Sequence, residues 1–204
     1  SGAYGYLVIR STNSTPPSQP VNGVTYTAAN IGTLGSGLTL VQSSGSTSIA
    51  GTGVTNNTTY YYYIYAYNST NCTGAAPLYS TDIIGSETTC PLNPTALTVS
   101  SVTDSSFNLN WNYTGNTGNP ITYIINIYTD PSWQNNIPGS PFYTTHPTTN
   151  YIVTGLDSGV QYYYRVRASN GCEYFAASGN VTTTLCAGNP SGITSSAETD
   201  TTAS

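Results

Sequence analysis

The side chains best suited to chemistry in this 204-residue chain are four cysteines and one histidine. Cys72, Cys90, Cys172 and Cys186 are too far apart to form the close Cys-x-x-Cys pairs of a zinc site, and a single histidine cannot replace them. Disulfide bonds are therefore the chemistry that this pattern predicts, and they imply an oxidising, extracellular location. We expect no bound metal and no cofactor.

The sequence offers no arrangement of residues that would support catalysis. His146 lies in Pro/Thr-rich sequence without Ser and Asp residues spaced for a triad, so we expect an exposed loop histidine. The eight acidic residues are scattered, which argues against the paired carboxylates of a glycosidase and against a Ca²⁺ loop. The sequence therefore predicts a protein that is not an enzyme and has no catalytic residues.

The composition excludes several classes of partner. Three basic residues and a net charge of -5 provide no basic field for nucleic acid or for an anionic membrane surface. No apolar stretch approaches the roughly 18 residues that a membrane-spanning helix needs, so we expect no membrane insertion. The 19 tyrosines and the repeated β-branched runs argue against disorder.

The chain contains an internal repeat with the alternation of β-strands. The segment from Cys90 to Ser106 recurs 96 residues later, from Cys186, without a gap. After the first copy, Phe107, Leu109 and Trp111 alternate with asparagines, which is the period of a strand with one buried face. The pattern places Trp111 in a core.

The repeat that begins at Cys90 resembles a fibronectin type III domain. The resemblance rests on Trp111 in the second strand, on Gly155-Leu156 with Tyr162 six residues after the Leu, and on Arg165-Val166-Arg167-Ala168. It implies an all-β fold of tandem immunoglobulin-like β-sandwiches with Trp111, Leu156 and Tyr162 in the core. It also implies a tyrosine corner, in which the Tyr162 hydroxyl bonds to backbone across a turn.

The same resemblance divides the chain into three segments. Residues 1–89 resemble a fibronectin type III domain that lacks its first two strands, 90–185 a complete one, and 186–204 the first strand region of a following domain. A sandwich without two strands would expose its core and a sheet edge. Two explanations are open. The chain is a piece of a longer array, which is the simpler explanation, or the tail of one copy completes the next by strand donation.

Two disulfide patterns are conceivable. A Cys72–Cys90 bond within one repeat looks natural, but a strand of about eight residues would separate these thiols by about 25 Å. The fibronectin resemblance instead places the loop after the sixth strand beside the point where the chain enters its own domain. It therefore implies a Cys90–Cys172 disulfide, with Cys72 and Cys186 paired to neighbouring units.

The surface candidates are tyrosines and glycosylation sequences. If Tyr60 faces the core of the first segment, the alternation of the strand puts Tyr61, Tyr63, Tyr65 and Tyr67 on the outer face. These four either pack as cross-strand pairs or form an interface with another unit. Sequons at Asn13, Asn57 and Asn68, and an Asp-Thr-Thr sequence containing Thr201, are candidates for glycans.

Two functions remain open. The first is a structural repeat module of an extracellular or cell-surface fibre, sheath or adhesin, joined end to end and stapled by disulfides; its repeat style resembles long surface proteins of Bacteroidetes-type bacteria. The alternative is a spacer or carbohydrate-binding accessory region of a large secreted enzyme. The expected partners are copies of the chain itself, adjacent repeats of the same polypeptide, or surface polysaccharide.

Overall fold

The computed structural model describes residues 5–70, 74, 76–172 and 176–186, and these residues form an all-β protein. They contain one 3-10 helix, Ile31–Leu34, and twelve strands. In chain order the strands are β1 (Gly5–Ser11), β2 (Thr39–Ser44), β3 (Thr59–Asn68), β4 (Leu78–Tyr79), β5 (Ile83–Thr88), β6 (Thr95–Ser100), β7 (Ser106–Asn112), β8 (Thr122–Tyr128), β9 (Phe142–Thr145), β10 (Asn150–Thr154), β11 (Gln161–Ser169) and β12 (Ala177–Thr182). We call β1–β5 the first unit and β6–β12 the second unit.

The second unit is a β-sandwich of two antiparallel sheets. One sheet has the order β10-β7-β6 and the other β12-β11-β8-β9. The alternating apolar residues of each strand point into one core, where Phe107, Leu109 and Trp111 face Tyr164 and Val166 of the other sheet. The predicted all-β sandwich architecture is confirmed, and Trp111 lies in its core.

A tyrosine corner closes one end of each unit. The Tyr162 hydroxyl accepts a hydrogen bond of 2.9 Å from the Asp157 N–H, and Tyr162 and Leu156 are both buried. In the first unit the Tyr60 hydroxyl accepts a matching bond of 2.8 Å from the Thr55 N–H. The two corners give a common reference point for aligning the two units.

We expect Tyr162→Phe to lower the free energy of unfolding by about 1 kcal/mol, because it leaves the Asp157 N–H without its acceptor. Urea titration followed by tryptophan fluorescence measures this loss. Tyr163→Phe is the matched control, since the Tyr163 hydroxyl bonds only to the Gln161 side chain at the exposed surface. Equal stability of the two variants would contradict the role of the corner.

The first unit has one sheet, in which β1 lies between β2 and β3, and β3 pairs on its other edge with β4 and β5. The long connection between β1 and β2 folds over one face of this sheet. Its Tyr26, Ile31 and Leu34 pack against apolar side chains of β1 and β3. Within the described residues, no second sheet covers the opposite face.

The predicted outward tyrosine ladder is wrong, because the β1–β2 connection buries that face. Tyr63 and Tyr65 are 0% and 1% exposed, and Tyr61 and Tyr67 are partly buried against the same cluster. Burial raises the pKa of Tyr65 to about 12. These four tyrosines therefore belong to the core of the first unit and are not available as an interface.

Candidate functional site

A disulfide bond ties the segment between the two units to the second unit. Cys90 follows β5, Cys172 follows β11, and the two form a disulfide with their Cα atoms 5.1 Å apart. This is the pair that the family resemblance implies, and it rules out the Cys72–Cys90 alternative because Cys90 is already bonded. Cys72 lies outside the described residues.

Asparagine side chains join the two units next to this disulfide. Asn57 is 0% exposed, and its Nδ2 donates bonds of 2.8 Å to both the Asn116 and the Asn119 carbonyl oxygens. Its Oδ1 accepts a bond of 2.8 Å from Asn170 Nδ2. We call Asn57, Asn116, Asn119 and Asn170 the asparagine joint.

Further bonds surround the asparagine joint. Asn116 donates its backbone N–H to Asn56 Oδ1 and its Nδ2 to Thr58 Oγ1, both at 2.8 Å. Asn170 Nδ2 also donates to the Thr89 carbonyl oxygen at 3.0 Å. Because buried amides are costly to leave unpaired, this network holds the two units in one relative orientation.

The backbone of the asparagine joint reappears at the far end of the second unit. Asn57 has a φ of 46°, and Gly159, which like Asn57 lies three residues before its corner tyrosine, has a φ of 70°. No unit packs on Gly159 within the described residues; instead Leu185 is 82% exposed, and Cys186 is exposed with a free thiol. The far end thus carries a joint-like turn, an exposed apolar residue and a thiol.

The glycosylation candidates differ in how exposed their side chains are. The Asn57 prediction is wrong, because a side chain that is fully buried and bonded to three residues cannot carry a glycan in the folded protein. Asn13 is exposed, and Asn68 is partly buried with bonding partners. Thr201 lies outside the described residues.

In the first unit, one face of the sheet is exposed, and the equivalent face in the second unit is buried in the core. Aligning the two corners pairs Tyr62, Ile64 and Ala66 with Tyr164, Val166 and Ala168. The latter three are 5% exposed or less, whereas the former three are only partly buried. We call this surface the open face; it consists of Tyr6, Tyr62, Ile64, Ala66 and Ile83.

The open face is concave and is partly covered by an unpaired segment of chain. A cavity of about 200 Å³ there is lined by residues that include Tyr6, Val8, Ile49 and Ile64. Residues 48–52, which carry Ile49, align with β10 but form no strand, because no strand equivalent to β7 pairs with them among the described residues. The Arg10 guanidinium holds this segment by donating to the Thr52 and Gly53 carbonyl oxygens, both at 2.8 Å.

His146 is not the exposed loop residue that its sequence context suggests. It is half-buried, its Nδ1 lies 3.0 Å from the Tyr123 hydroxyl oxygen, and its ring packs edge-on against Tyr113. No three metal-ligating side chains converge anywhere in the described part of the chain. No helix in that part of the chain is long and apolar enough to cross a membrane.

Comparison with known proteins finds one family model that matches the second unit. The family model of the fibronectin type III domain matches residues 92–184. None of the curated proteins is significantly similar to this chain.

Solved structures that align with this chain include a two-domain fibronectin type III segment of chicken tenascin, with 15% identity, a TM-score of 0.47, and coverage of 90% of this chain and 86% of that one. Domains FN1–FN3 of chicken CNTN1 align with 12% identity, a TM-score of 0.42, and coverage of 90% and 57%. A domain of human fibronectin type III domain containing protein 3 aligns with 20% identity, a TM-score of 0.38, and coverage of 50% and 94%.

Proposed function

We propose, from the fibronectin type III domain that this chain carries at residues 92–184, that the protein is a structural module of an extracellular fibre, sheath or adhesin. The observation that carries the proposal is the asparagine joint together with the neighbouring Cys90–Cys172 disulfide. A disulfide fixes the segment between the units to the second unit, and a buried amide network bonds the first unit to the second, which suits a protein that must hold a fixed extended shape under load. The disulfide also supports an oxidising, extracellular location.

We propose further that copies join end to end through the open face and the far end of the second unit. Residues 186–204 repeat the sequence that begins at Cys90, and in the second unit that sequence forms β6 and the start of β7. Laid over the open face of a second copy, the same sequence would shield Tyr62 and Ile64. Cys186 would then stand where Cys90 stands in the joint, beside Cys72 of that copy.

A role without catalysis is part of this proposal. It is supported by the position of His146, whose ring nitrogen is engaged by the Tyr123 hydroxyl inside an aromatic cluster. The acidic residues support it too, since Asp130, for example, uses its carboxylate to hold its own loop.

The assembly can be tested by light scattering and electron microscopy of oxidised protein. We expect the wild type to form chains of two-unit modules, and Ile64→Asn to reduce the assembled fraction at least tenfold, because a polar side chain on the open face opposes burial of that face. Ile152→Asn is the matched control, since Ile152 is 63% exposed on β10 of the second unit and lies outside the proposed contact.

Circular dichroism of each monomer shows whether the variants fold. A wild type that stays monomeric at every concentration would overturn the proposal. Undiminished assembly of a folded Ile64→Asn variant would overturn the role of the open face.

A further inference from the structure

We propose that the outer face of the second unit binds an acidic polysaccharide, one whose sugar rings carry carboxylates. The site consists of Tyr128, Trp133, Tyr163 and Arg165, which we call the Trp133 cluster. Tyr163 and Arg165 point outward from β11, Tyr128 is opposite Tyr163 on β8, and Trp133 comes from the loop between β8 and β9.

The four side chains of the Trp133 cluster pack with defined geometry. The Arg165 guanidinium carbon lies 3.7 Å from the centre of the Trp133 ring and 6.0 Å from the centre of the Tyr128 ring. Trp133 also meets Tyr128 and Tyr163 edge to face, with ring centres 5.3 and 6.1 Å apart. The cation is thus stacked by its face, which leaves the N–H groups along its edge available for an acceptor.

The loop that carries Trp133 is fixed before any ligand binds. The Asp130 carboxylate accepts backbone N–H bonds from Ser132 at 2.9 Å and from Asn135 at 2.7 Å, and it also bonds the Ser132 hydroxyl. These bonds hold the pKa of Asp130 down, at about 2. Trp133 has a φ of 61°, a left-handed conformation that bulky residues rarely adopt and that the surrounding bonds must maintain.

The Trp133 cluster presents a single local positive charge, which favours contact with one carboxylate at a time over attraction by a wide basic surface. The chain has only three basic residues, and one of them, Arg10, is buried and bonded to carbonyl oxygens. The other two, Arg165 and Arg167, are partly exposed and point outward from the same strand. Arg167 bonds Asn126 Oδ1 at 3.2 Å, whereas Arg165 makes no ion pair within the described residues. Arg165 is therefore an accessible cation on a protein of net charge -5.

The first unit shows that covering the sheet does not require such a cluster. There the corresponding connection buries the outer face under Tyr26, Ile31 and Leu34, and the covered strand carries tyrosines instead of arginines. The loop in the second unit is shorter and places one aromatic ring against one cation, and both side chains are partly exposed. This difference favours a role for the Trp133 cluster in binding a ligand over a role in covering the outer face of the sheet.

The ligand chemistry follows from the exposed groups. A guanidinium edge binds a carboxylate with two parallel hydrogen bonds, which Lys cannot reproduce. The partly exposed rings of Trp133 and Tyr163 supply the apolar contact area that a sugar ring can cover, while Tyr128 is buried beneath them. A uronate polymer presents both features in one repeating residue.

Affinity electrophoresis through gels containing polygalacturonate tests the site, with neutral dextran as the comparison polymer. The full chain is used with Cys186→Ser, so that failure of assembly cannot affect the result. We expect retardation by polygalacturonate alone. We expect Arg165→Gln and Trp133→Ala each to weaken the binding at least tenfold, and Arg165→Lys to weaken it by an intermediate factor. Ile152→Ser, on the other sheet, should bind like the parent.

Melting curves identify any variant that fails to fold, and Arg165→Gln is expected to fold because Arg165 is partly exposed. No retardation in polygalacturonate, equal retardation in dextran, or full binding by folded Arg165→Gln would each overturn the proposal. Full binding by Arg165→Lys would show charge attraction without the stacked guanidinium and would overturn the site as described.

Discussion

Replacing both Cys90 and Cys172 with serine is expected to lower the free energy of unfolding of the second unit by about 4 kcal/mol. The bond joins residues 82 positions apart, so its loss restores a large amount of conformational entropy to the unfolded chain. Urea unfolding measures the effect. Tryptophan fluorescence reports on the second unit alone, because Trp111 and Trp133, the only two tryptophans, both lie there.

Cys186→Ser is the matched control for this loss. Cys186 is exposed and its thiol is free, so its replacement should change the stability of the monomer by less than about 0.5 kcal/mol. A double serine variant within about 1 kcal/mol of the wild type would contradict a stapling role for the Cys90–Cys172 bond.

Asn57→Ala is expected to cost about 3 kcal/mol. The substitution removes all three hydrogen bonds that the buried Asn57 amide makes, to the Asn116 and Asn119 carbonyl oxygens and to the Asn170 amide. It also puts a Cβ without a polar group at a φ of 46°, which alanine tolerates poorly. Urea unfolding measures the stability, and small-angle X-ray scattering measures how far the two units depart from one orientation.

Asn57→Gly separates the two causes, because glycine accepts the positive φ but supplies no amide. We expect it to recover about 1 kcal/mol relative to alanine and still to loosen the joint. Asn13→Ala is the surface control, since Asn13 is exposed and its side chain caps only a local turn. A scattering curve of Asn57→Ala identical to that of the wild type would show that the amides do not fix the orientation.

Period-two alternation predicted which face of each strand is buried in the second unit, and the family resemblance implied its sandwich architecture and its tyrosine corner. Phe107, Leu109 and Trp111 lie on one face of β7 because strand geometry leaves no other choice once the asparagines face out. The corner at Tyr162 has the spacing that sequence predicts, and the bond runs to Asp157. Such features depend on residues close together in the chain.

The outer face of β3 could not be predicted in the same way. Alternation separates Tyr63 and Tyr65 from Tyr62 and Ile64, but it does not say what covers each face. In the first unit, a connection rich in Gly, Ser, Thr and Asn supplies three well-separated apolar residues and buries the face expected to be exposed. Only tertiary packing distinguishes that connection from a solvated loop.

Asn57 shows the same limit at a single residue. As a local motif it is a glycosylation sequon, whereas its burial is determined by Asn116, Asn119 and Asn170, which lie 59 to 113 positions away. One signal was present in the sequence: Asn57 falls three residues before the corner tyrosine, where the second unit has Gly159. Asparagine is among the few residues that can replace glycine at a positive φ.

The pairing of Cys186 tests end-to-end joining most directly. Copies labelled with ¹⁵N are mixed with unlabelled copies, oxidised, digested without reduction and analysed by mass spectrometry. We expect Cys90 bonded to Cys172 within each chain, and mixed-label peptides in which Cys186 of one copy is bonded to Cys72 of another. A Cys72–Cys186 bond found only between residues carrying the same label, or a Cys186 that stays a free thiol in the assembled material, would contradict this account.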